Sequence, residues 1–232
     1  AVNSGKNPYF TNEQIAALGK GTNWMDKMLT DNAATKNFSF GASGGSETSV
    51  YSTSLSYLGQ EGVVGGKDLS NYERYNFRFN SEHKLYKDIL TLGENLSFAY
   101  VDKNGIGVGN QYNNSLRSAF QTTPLLPMYD ADGNYYNTTN NSEPWLAGVA
   151  NPYAMMDYNN QNESNNQKLL GNVYLQVDPI KNLTFKTTLG LDYYVSEGHS
   201  YNPVYHLSTY ANNDFDTVNQ NMSKSRSINW DN

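Results

Sequence analysis

Few residues of this chain have the types and spacing that a catalytic or metal-binding site requires. The run Asp130-Ala131-Asp132-Gly133-Asn134 resembles the start of a calcium-binding loop. An EF-hand, however, needs Gly at its sixth position and Glu at its twelfth, where this chain has Tyr135 and Asn141. Because Asp-Gly is also a strong turn signal, a β-turn is the better interpretation of the run.

The other residues that could catalyse a reaction or bind a metal are isolated. His83, His199 and His206 are scattered without ligand spacing, and Asp214 and Asp216 lie in a predicted loop without a partnered base. The chain has no cysteine, and it shows no nucleophile elbow, phosphate loop or dinucleotide fingerprint. We therefore predict no enzymatic activity, no metal site and no cofactor.

The aromatic residues of one long connection are better candidates for binding. Aromatic rings stack on the apolar faces of sugars while amides bond sugar hydroxyls, and the same combination suits peptides or a protein lid. Trp145 is the strongest candidate, because it follows Pro144 in a polar stretch and has the largest stacking face. The other candidate contact residues are Tyr112, Tyr135, Tyr136, Tyr153 and Tyr158. The competing interpretation is a loop packed on itself, in which Trp145 is only an anchor.

Composition narrows the class of protein. The chain has 232 residues, enough for one or two domains, with 16% charged residues and a net charge of −6. It has no Lys/Arg cluster, so nucleic acid is not an expected partner. It also has no run of eighteen apolar residues, so the sequence pattern predicts no transmembrane helix. Tyrosine is abundant, with 19 residues, and suits surfaces where one end of a side chain is dry and the other wet.

Six stretches alternate apolar and polar residues and must position the loops. They are Lys36–Gly44, Ser49–Leu58, Tyr72–His83, Thr91–Val101, Lys168–Asp178 and Leu183–Val195, and a further strand begins near Ile228. Short joins follow the first, third and fifth stretches, whereas the connections 59–71, 102–167 and 196–221 are longer. Strands of about 9–11 residues, with tight turns on one side and long loops on the other, are typical of an antiparallel transmembrane β-barrel.

The alternation also predicts which side chains face lipid and which face a lumen. The residues expected to face lipid are Phe38, Phe40, Tyr51, Leu55, Phe77, Phe79, Leu175, Phe185 and Leu191. Arg74, Arg78, Lys186 and Asp192 have the opposite parity and are expected to point into the lumen, because charge is costly in hydrocarbon. Glu94 shares the parity of Leu92 and Leu96, so it faces lipid near the turn end unless a bulge re-aims it.

Short helices are predicted outside the strands. Thr11 and Gln14 form a capping box for a helix that stops at Gly19, and a second short helix covers Trp24–Leu29. A third is expected at Ser115–Phe120. We thus expect residues 1–35 to form an extracellular connection with short helices, and residues 36–232 to form part of a barrel.

Alternation alone also permits a soluble or cell-surface β-sandwich that binds glycans, since a sandwich too has one dry face. Detergent dependence would separate the two. A small complete porin is a third possibility. Six or seven strands leave two open edges, which hydrocarbon does not tolerate, so we expect a segment of a longer protein.

Five blocks of sequence, in order, resemble the SusC/RagA family of TonB-dependent outer-membrane transporters. The blocks are GTNW (Gly21–Trp24), GASGGSETSVYSTSLSYLGQEGVVGG (Gly41–Gly66), YERYNFRFNSEHKL (Tyr72–Leu85), TPLLPMYDADGNY (Thr123–Tyr135) and NVYLQVDPIKNLTFKTTLGLDYY (Asn172–Tyr194). Together they cover most of the chain.

The resemblance implies a family-typical 22-stranded barrel filled by a plug domain, in the outer membrane of a Bacteroidetes-type Gram-negative bacterium. It implies a SusD-like surface lipoprotein as a lid, TonB as the source of energy, and oligosaccharides or peptides as substrates. The plug and the TonB-binding box have no counterpart in this chain.

Overall fold

A computed structural model describes residues 5, 8–86, 89–107, 109–110, 114–141 and 143–232. The chain divides into two compact units. One, which we call the sheet unit, contains residues 31–106, 160–201 and 217–232. The other, the loop unit, contains residues 1–30, 107–159 and 202–216.

The sheet unit is a single seven-stranded sheet in which neighbours along the chain are neighbours in space. The strands of the chain are β1 (Thr35–Gly45), β2 (Ser49–Glu61), β3 (Asn71–Leu85), β4 (Leu90–Asn104), β5 (Gln161–Ile180), β6 (Leu183–Asn202), β7 (Tyr205–His206), β8 (Asn212–Asn213) and β9 (Thr217–Asp231). The sheet has the order β1-β2-β3-β4-β5-β6-β9, and the pairs from β1 to β6 are antiparallel. The predicted all-β antiparallel fold is confirmed.

Every predicted strand is longer in the structure, and β5, β6 and β9 extend furthest beyond the sequence pattern. β5 begins at Gln161 and β6 ends at Asn202, and the two pair as far as Gln161 opposite Tyr201. β9 is a full strand that begins at Thr217. The connection predicted at 196–221 is therefore shorter in the structure. The extra residues are mostly polar, and paired strands continue beyond the apolar band without apolar side chains.

The short joins bring consecutive strands together as tight turns. Between β5 and β6, Ile180 pairs with Leu183, so Lys181 and Asn182 form a two-residue turn. Asn182 has a φ of 68°, a left-handed conformation that Asn tolerates better than most residues. The turn between β1 and β2 closes with a hydrogen bond from the Ser46 N–H to the Ser49 carbonyl at 2.6 Å.

The register assembles the apolar residues of six strands on one face, which we call the apolar face. For example, Phe40 lies opposite Leu55, and Leu55 lies opposite Phe77. All nine residues predicted to face lipid share this face. The residues predicted to face a lumen (Arg74, Arg78, Lys186 and Asp192) share the other, which we call the polar face. Whether the two faces meet lipid and a lumen stays a prediction.

Glu94 lies on the apolar face. The β3–β4 register runs without interruption through Gly93, opposite Glu82, and Glu94, opposite Ser81. The bulge that would have re-aimed the carboxylate is therefore absent from this pair of strands.

The described residues of the loop unit form four helices and the two very short strands β7 and β8. The helices are α1 (Asn12–Leu18), α2 (Trp24–Met28), α4 (Ser115–Gln121) and α5 (Pro152–Asn159), while α3 (Gly66–Leu69) belongs to the sheet unit. The capping box of Thr11 and Gln14 is confirmed, as are the helices predicted near Trp24 and Ser115. Within the ranges given above, no helix has the length and apolar character needed to cross a membrane.

Three distant stretches of the chain build the core of the loop unit. Trp24 is buried and donates its indole N–H to the Thr123 carbonyl at 3.1 Å. Asn151 is fully buried, and its side-chain oxygen accepts the N–H groups of Tyr153 and Ala154, which caps α5. The buried apolar side chains include Met28, Leu126, Leu146, Ala154, Met156 and Leu207.

Candidate functional site

The loop unit brings five tyrosine rings into one contiguous group, which we call the tyrosine cluster. Its members are Tyr129, Tyr135, Tyr153, Tyr158 and Tyr205. Tyr135 is central: its ring stacks on Tyr129 at 5.5 Å and meets Tyr158 edge-to-face at 5.5 Å. It also lies 6.0 Å from Tyr153. Tyr158 in turn stacks on Tyr205 at 5.1 Å with the planes 6° apart.

Hydrogen bonds to α5 orient two of these rings. The Tyr135 hydroxyl donates to Oδ2 of Asp157 at 2.9 Å, and the Tyr205 hydroxyl donates to Oδ1 of Asn159 at 3.4 Å. Burial, followed by this hydrogen bond to Asp157, raises the pKa of Tyr135 well above its ordinary value. Burial and the charge of Asp157 also raise the pKa of Tyr158. Both phenols therefore stay protonated to a higher pH than an ordinary tyrosine does.

The cluster combines a well-packed interior with exposed aromatic surface. Tyr129 is 50% exposed although it stacks on Tyr135, and the other four rings are partly exposed. Such a surface can stack against a flat apolar ligand face while neighbouring hydroxyls, amides and carboxylates form hydrogen bonds.

Three of the six predicted contact residues lie in this cluster, namely Tyr135, Tyr153 and Tyr158. Sequence reasoning missed Tyr129 and Tyr205. Tyr129 directly precedes the Asp-Ala-Asp-Gly turn, a signal that could have identified it, whereas Tyr205 comes from another loop and had no local signal. Tyr112 lies outside the described residues.

Trp145 and Tyr136 make other contacts. The Trp145 ring is partly exposed, meets Phe10 edge-to-face at 5.5 Å, and donates its indole N–H to Glu143 at 3.0 Å. The Tyr136 hydroxyl accepts a hydrogen bond from the Asn141 side chain at 3.0 Å. Trp145 thus packs against another part of the loop unit and retains exposed surface.

The run at Asp130 is a turn, as predicted. The Gly133 N–H donates to the Asp130 carbonyl at 3.2 Å, and the Asp130 carboxylate accepts the N–H groups of Asp132 and Asn134. The bridge between Tyr129 and Tyr135 closes the base of this turn and brings the two rings together. Among the described residues, no three His, Cys, Asp or Glu side chains are grouped so that they could hold a metal ion.

Three charged residues of the polar face have local partners. Asp192 pairs with Lys168 at 3.6 Å, and Arg74 donates to the Asn76 side chain at 2.8 Å. The ammonium of Lys186 lies 3.8 Å from the centre of the Tyr174 ring. Arg78 and Asp192 both line an open depression of about 690 Å³, so this face offers a hydrated, hydrogen-bonding surface.

On the apolar face, four aromatic rings form a row across four strands near their loop ends. Phe38, Tyr57, Tyr75 and Tyr100 are direct cross-strand partners, with ring centres 6.2, 5.0 and 6.2 Å apart. The hydroxyls of Tyr57 and Tyr75 both donate to Glu73, on the loop side of the row. Rings that face apolar neighbours and hydroxyls that face polar ones are typical of a membrane–water boundary.

The chain is similar in sequence to TonB-dependent receptors, although no family model matches it. It is 33% identical over 173 residues to TonB-dependent receptor P26 of Formosa agariphila, covering 73% of this chain and 16% of that protein. It is 29% identical over 174 residues to TonB-dependent receptor P3 of the same organism, with the same coverage of both. The chain thus spans 16% of the length of these curated relatives.

Solved structures share its fold. The RagAB peptide importer in its "open-open" state matches with a TM-score of 0.63 at 20% identity, over 95% of this chain and 25% of the other. The "closed-closed" state matches with a TM-score of 0.62 at 21% identity, over 91% of this chain and 23% of the other. The chain belongs to the TonB-dependent receptors, as its sequence relatives indicate, and it shares its fold with the RagAB structures.

Proposed function

We propose that this chain forms part of the wall and part of the outer surface of a transporter in a Bacteroidetes-type outer membrane. The whole protein would import oligosaccharides or peptides with a SusD-like surface lipoprotein. Energy would come from TonB, through parts of the protein outside this chain. The role of the chain is physical rather than catalytic: it separates lipid from an aqueous path and presents loops to the substrate or lid.

The observation that carries the proposal is the exposed apolar face of the sheet. Phe40 is 66% exposed and Leu189 is 56% exposed, and the register joins them to the other apolar residues of six strands. A continuous apolar surface of this extent needs a cover, and lipid is the cover that a barrel wall has.

The alternative function, a β-sandwich that binds glycans, is less well supported. A sandwich buries one face of each sheet against a second sheet, so its apolar residues are inaccessible. In this chain Phe38, Phe185 and Leu55 are each more than half exposed. The aromatic row with its hydroxyls directed toward Glu73 also favours a membrane boundary over a protein core.

The tyrosine cluster and Trp145 supply the proposed contact surface. The segments that carry them connect strands at the ends opposite the short turns, which in barrels is the extracellular side. Loops carried on a rigid sheet commonly hold binding residues. We assign contact with the substrate or the lid to Tyr129, Tyr135, Tyr153, Tyr158, Tyr205 and Trp145.

A labelling and uptake experiment on the full-length protein tests the proposal. Because this chain has no cysteine, single cysteines at Ser54 on the polar face and Leu55 on the apolar face form a matched pair. In intact outer membranes, a water-soluble maleimide should label position 54, through the lumen, and leave position 55 unlabelled. Deleting the gene should abolish growth on one class of oligosaccharide or peptide. Free labelling at position 55 would contradict the membrane-wall assignment.

A further inference from the structure

A row of hydrogen-bonded polar side chains crosses the apolar face, near the ends of the strands that the short turns connect. Oγ of Ser81 donates to Oε1 of Glu94 at 2.8 Å, and Nε2 of His83 lies 3.0 Å from the same Oγ. Nδ1 of His83 lies 3.0 Å from Oγ of Ser49. Ser49 begins β2, Ser81 and His83 lie near the end of β3, and Glu94 lies near the start of β4. All four residues therefore lie close to the short turns.

The hydrogen bonds in this row of side chains show which groups donate a proton and which accept one. Ser81 has one hydroxyl proton and gives it to Glu94, so Nε2 of His83 must donate to Ser81. Nδ1 of His83 makes the other hydrogen bond of the ring, with the hydroxyl of Ser49. Oε1 of Glu94 accepts from Ser81, so its carboxyl group ends this row of polar side chains on the apolar face.

Glu94 has no cationic partner within the part of the chain that the structure describes. Its Oε1 accepts from Ser81, while no ion pair and no second hydrogen bond involve its carboxylate in these residues. Charged groups that face a membrane interior normally pair with an opposite charge, because desolvation without one is costly. Among the described residues, Glu94 thus has one oxygen without a hydrogen bond and has no countercharge.

An apolar groove begins beside this carboxylate. It has a volume of about 440 Å³ and is lined by Glu94 together with Phe79, Leu96, Val173, Leu189, Leu191 and Ile228. Gly171 stands between Leu96 and Leu191 in the cross-strand row and also lines the groove. The volume lies within the range of small-ligand pockets, roughly 300–1,000 Å³.

We propose that this groove binds one phospholipid whose headgroup carries a primary ammonium, which pairs with Glu94. The direction of the groove fits the orientation of a lipid in a bilayer. Glu94 lies closer to the turns than Phe79 and Leu96 do. A headgroup at the carboxylate therefore directs its acyl chain along the groove toward the middle of the strands. The occupant follows from charge complementarity, since the apolar groove ends at a carboxylate that has no countercharge among the described residues. This inference rests on the proposed function, because it requires the apolar face to meet lipid.

Native mass spectrometry of the full-length receptor tests the site. The purified protein is stripped of lipid in mild detergent and given equal amounts of phosphatidylethanolamine and phosphatidylglycerol. The first bound lipid should be phosphatidylethanolamine by about fivefold, the ratio expected for one charge at a membrane surface. Glu94→Gln should reduce the ratio to about one. Glu82→Gln removes a charge from the neighbouring position on the polar face and should leave the ratio unchanged.

The outcomes are distinct. Equal binding of the two lipids by the wild type, or a preference that survives Glu94→Gln, would overturn the site. If the Glu94→Gln protein does not insert into membranes, the wild type is tested with N-acetylated phosphatidylethanolamine, which has no ammonium charge. The preference over phosphatidylglycerol must then disappear, and a preference that persists refutes the proposal. Failure of the wild-type receptor to form a heat-modifiable barrel would instead count against the proposed function, whereas an inserted barrel without lipid preference counts only against the groove.

Discussion

The rings of Tyr158 and Tyr205 stack almost parallel, 5.1 Å apart, although they come from different loops. Tyr158 lies near the end of α5, and Tyr205 begins the short strand β7. Their contact joins the connection between β4 and β5 to the connection between β6 and β9. The tyrosine cluster is therefore a product of two loops, and its exposed rings form one surface rather than isolated side chains.

Replacing Tyr129 with Ala should weaken substrate or lid binding by roughly two- to tenfold, the equivalent of one aromatic pair at about 0.5–1.5 kcal/mol. The ring is half exposed and stacks on Tyr135, so its loss removes contact surface with little effect on the core. Binding to isolated outer membranes measures the change. Phe120→Ala is the control, since Phe120 is an exposed loop aromatic outside the cluster. Equal effects of the two substitutions would argue against a binding role for the cluster.

Trp145→Ala in the full-length transporter should lower uptake or lid affinity without changing barrel stability. Trp145→Phe keeps a ring against Phe10 but loses the indole N–H bond to Glu143, so it separates ring contact from hydrogen bonding. Uptake, lid affinity and thermal unfolding are measured together. If uptake and lid affinity are both unchanged in correctly inserted Trp145→Ala protein, Trp145 has no contact role.

Leu55→Arg should destabilise the full-length barrel by about 2–4 kcal/mol if position 55 lies near the middle of the bilayer. Leu55 is 54% exposed on the apolar face, so the substitution places a charge against hydrocarbon. Ser54→Arg, one residue away on the polar face, should change the free energy of unfolding little. Denaturant unfolding in lipid vesicles gives both values, and similar losses for the two variants would contradict the assignment of faces.

Single cysteines at Arg78 and Asp192 should react with a small water-soluble maleimide in the full-length, inserted protein. Both residues share the polar face and line the same open depression, and hydrated lumen walls are accessible to such reagents. Phe77→Cys, next to Arg78 on the apolar face, is the matched control and should stay unlabelled. Labelling confined to position 77 would mean that the lumen and lipid faces are reversed.

The packing of the loop unit should depend on pH through Tyr135. Its folded-state pKa is raised by burial and by the hydrogen bond to Asp157, so the folded state retains a proton that the unfolded chain loses near pH 10. The contribution to stability is therefore complete below about pH 10 and declines as the pH rises further. Tyr135→Phe should flatten this alkaline decline in thermal unfolding curves. An unchanged decline would show that other groups cause it.

Much of the sheet follows directly from the sequence. Side chains alternate between the two faces of a strand, so parity alone assigned Phe38, Phe77 and Leu191 to one face and Arg78 and Asp192 to the other. The short turns and the Thr11 capping box are likewise local features, decided by a few neighbouring residues. The resemblance to SusC/RagA receptors also lies in contiguous blocks of residues, so the amino-acid sequence alone is enough to indicate the family.

Tertiary structure decided what depends on contacts between distant residues. The polar ends of β5, β6 and β9 carry no apolar alternation, so only pairing such as Gln161 with Tyr201 defines them as strands. Register determined that Ser81 lies opposite Glu94, and that Gly171 lies between Leu96 and Leu191. Loop packing brought Tyr205 onto Tyr158. Local propensity contains no term for such long-range pairings, because their free energy comes from residues that are neighbours only after folding.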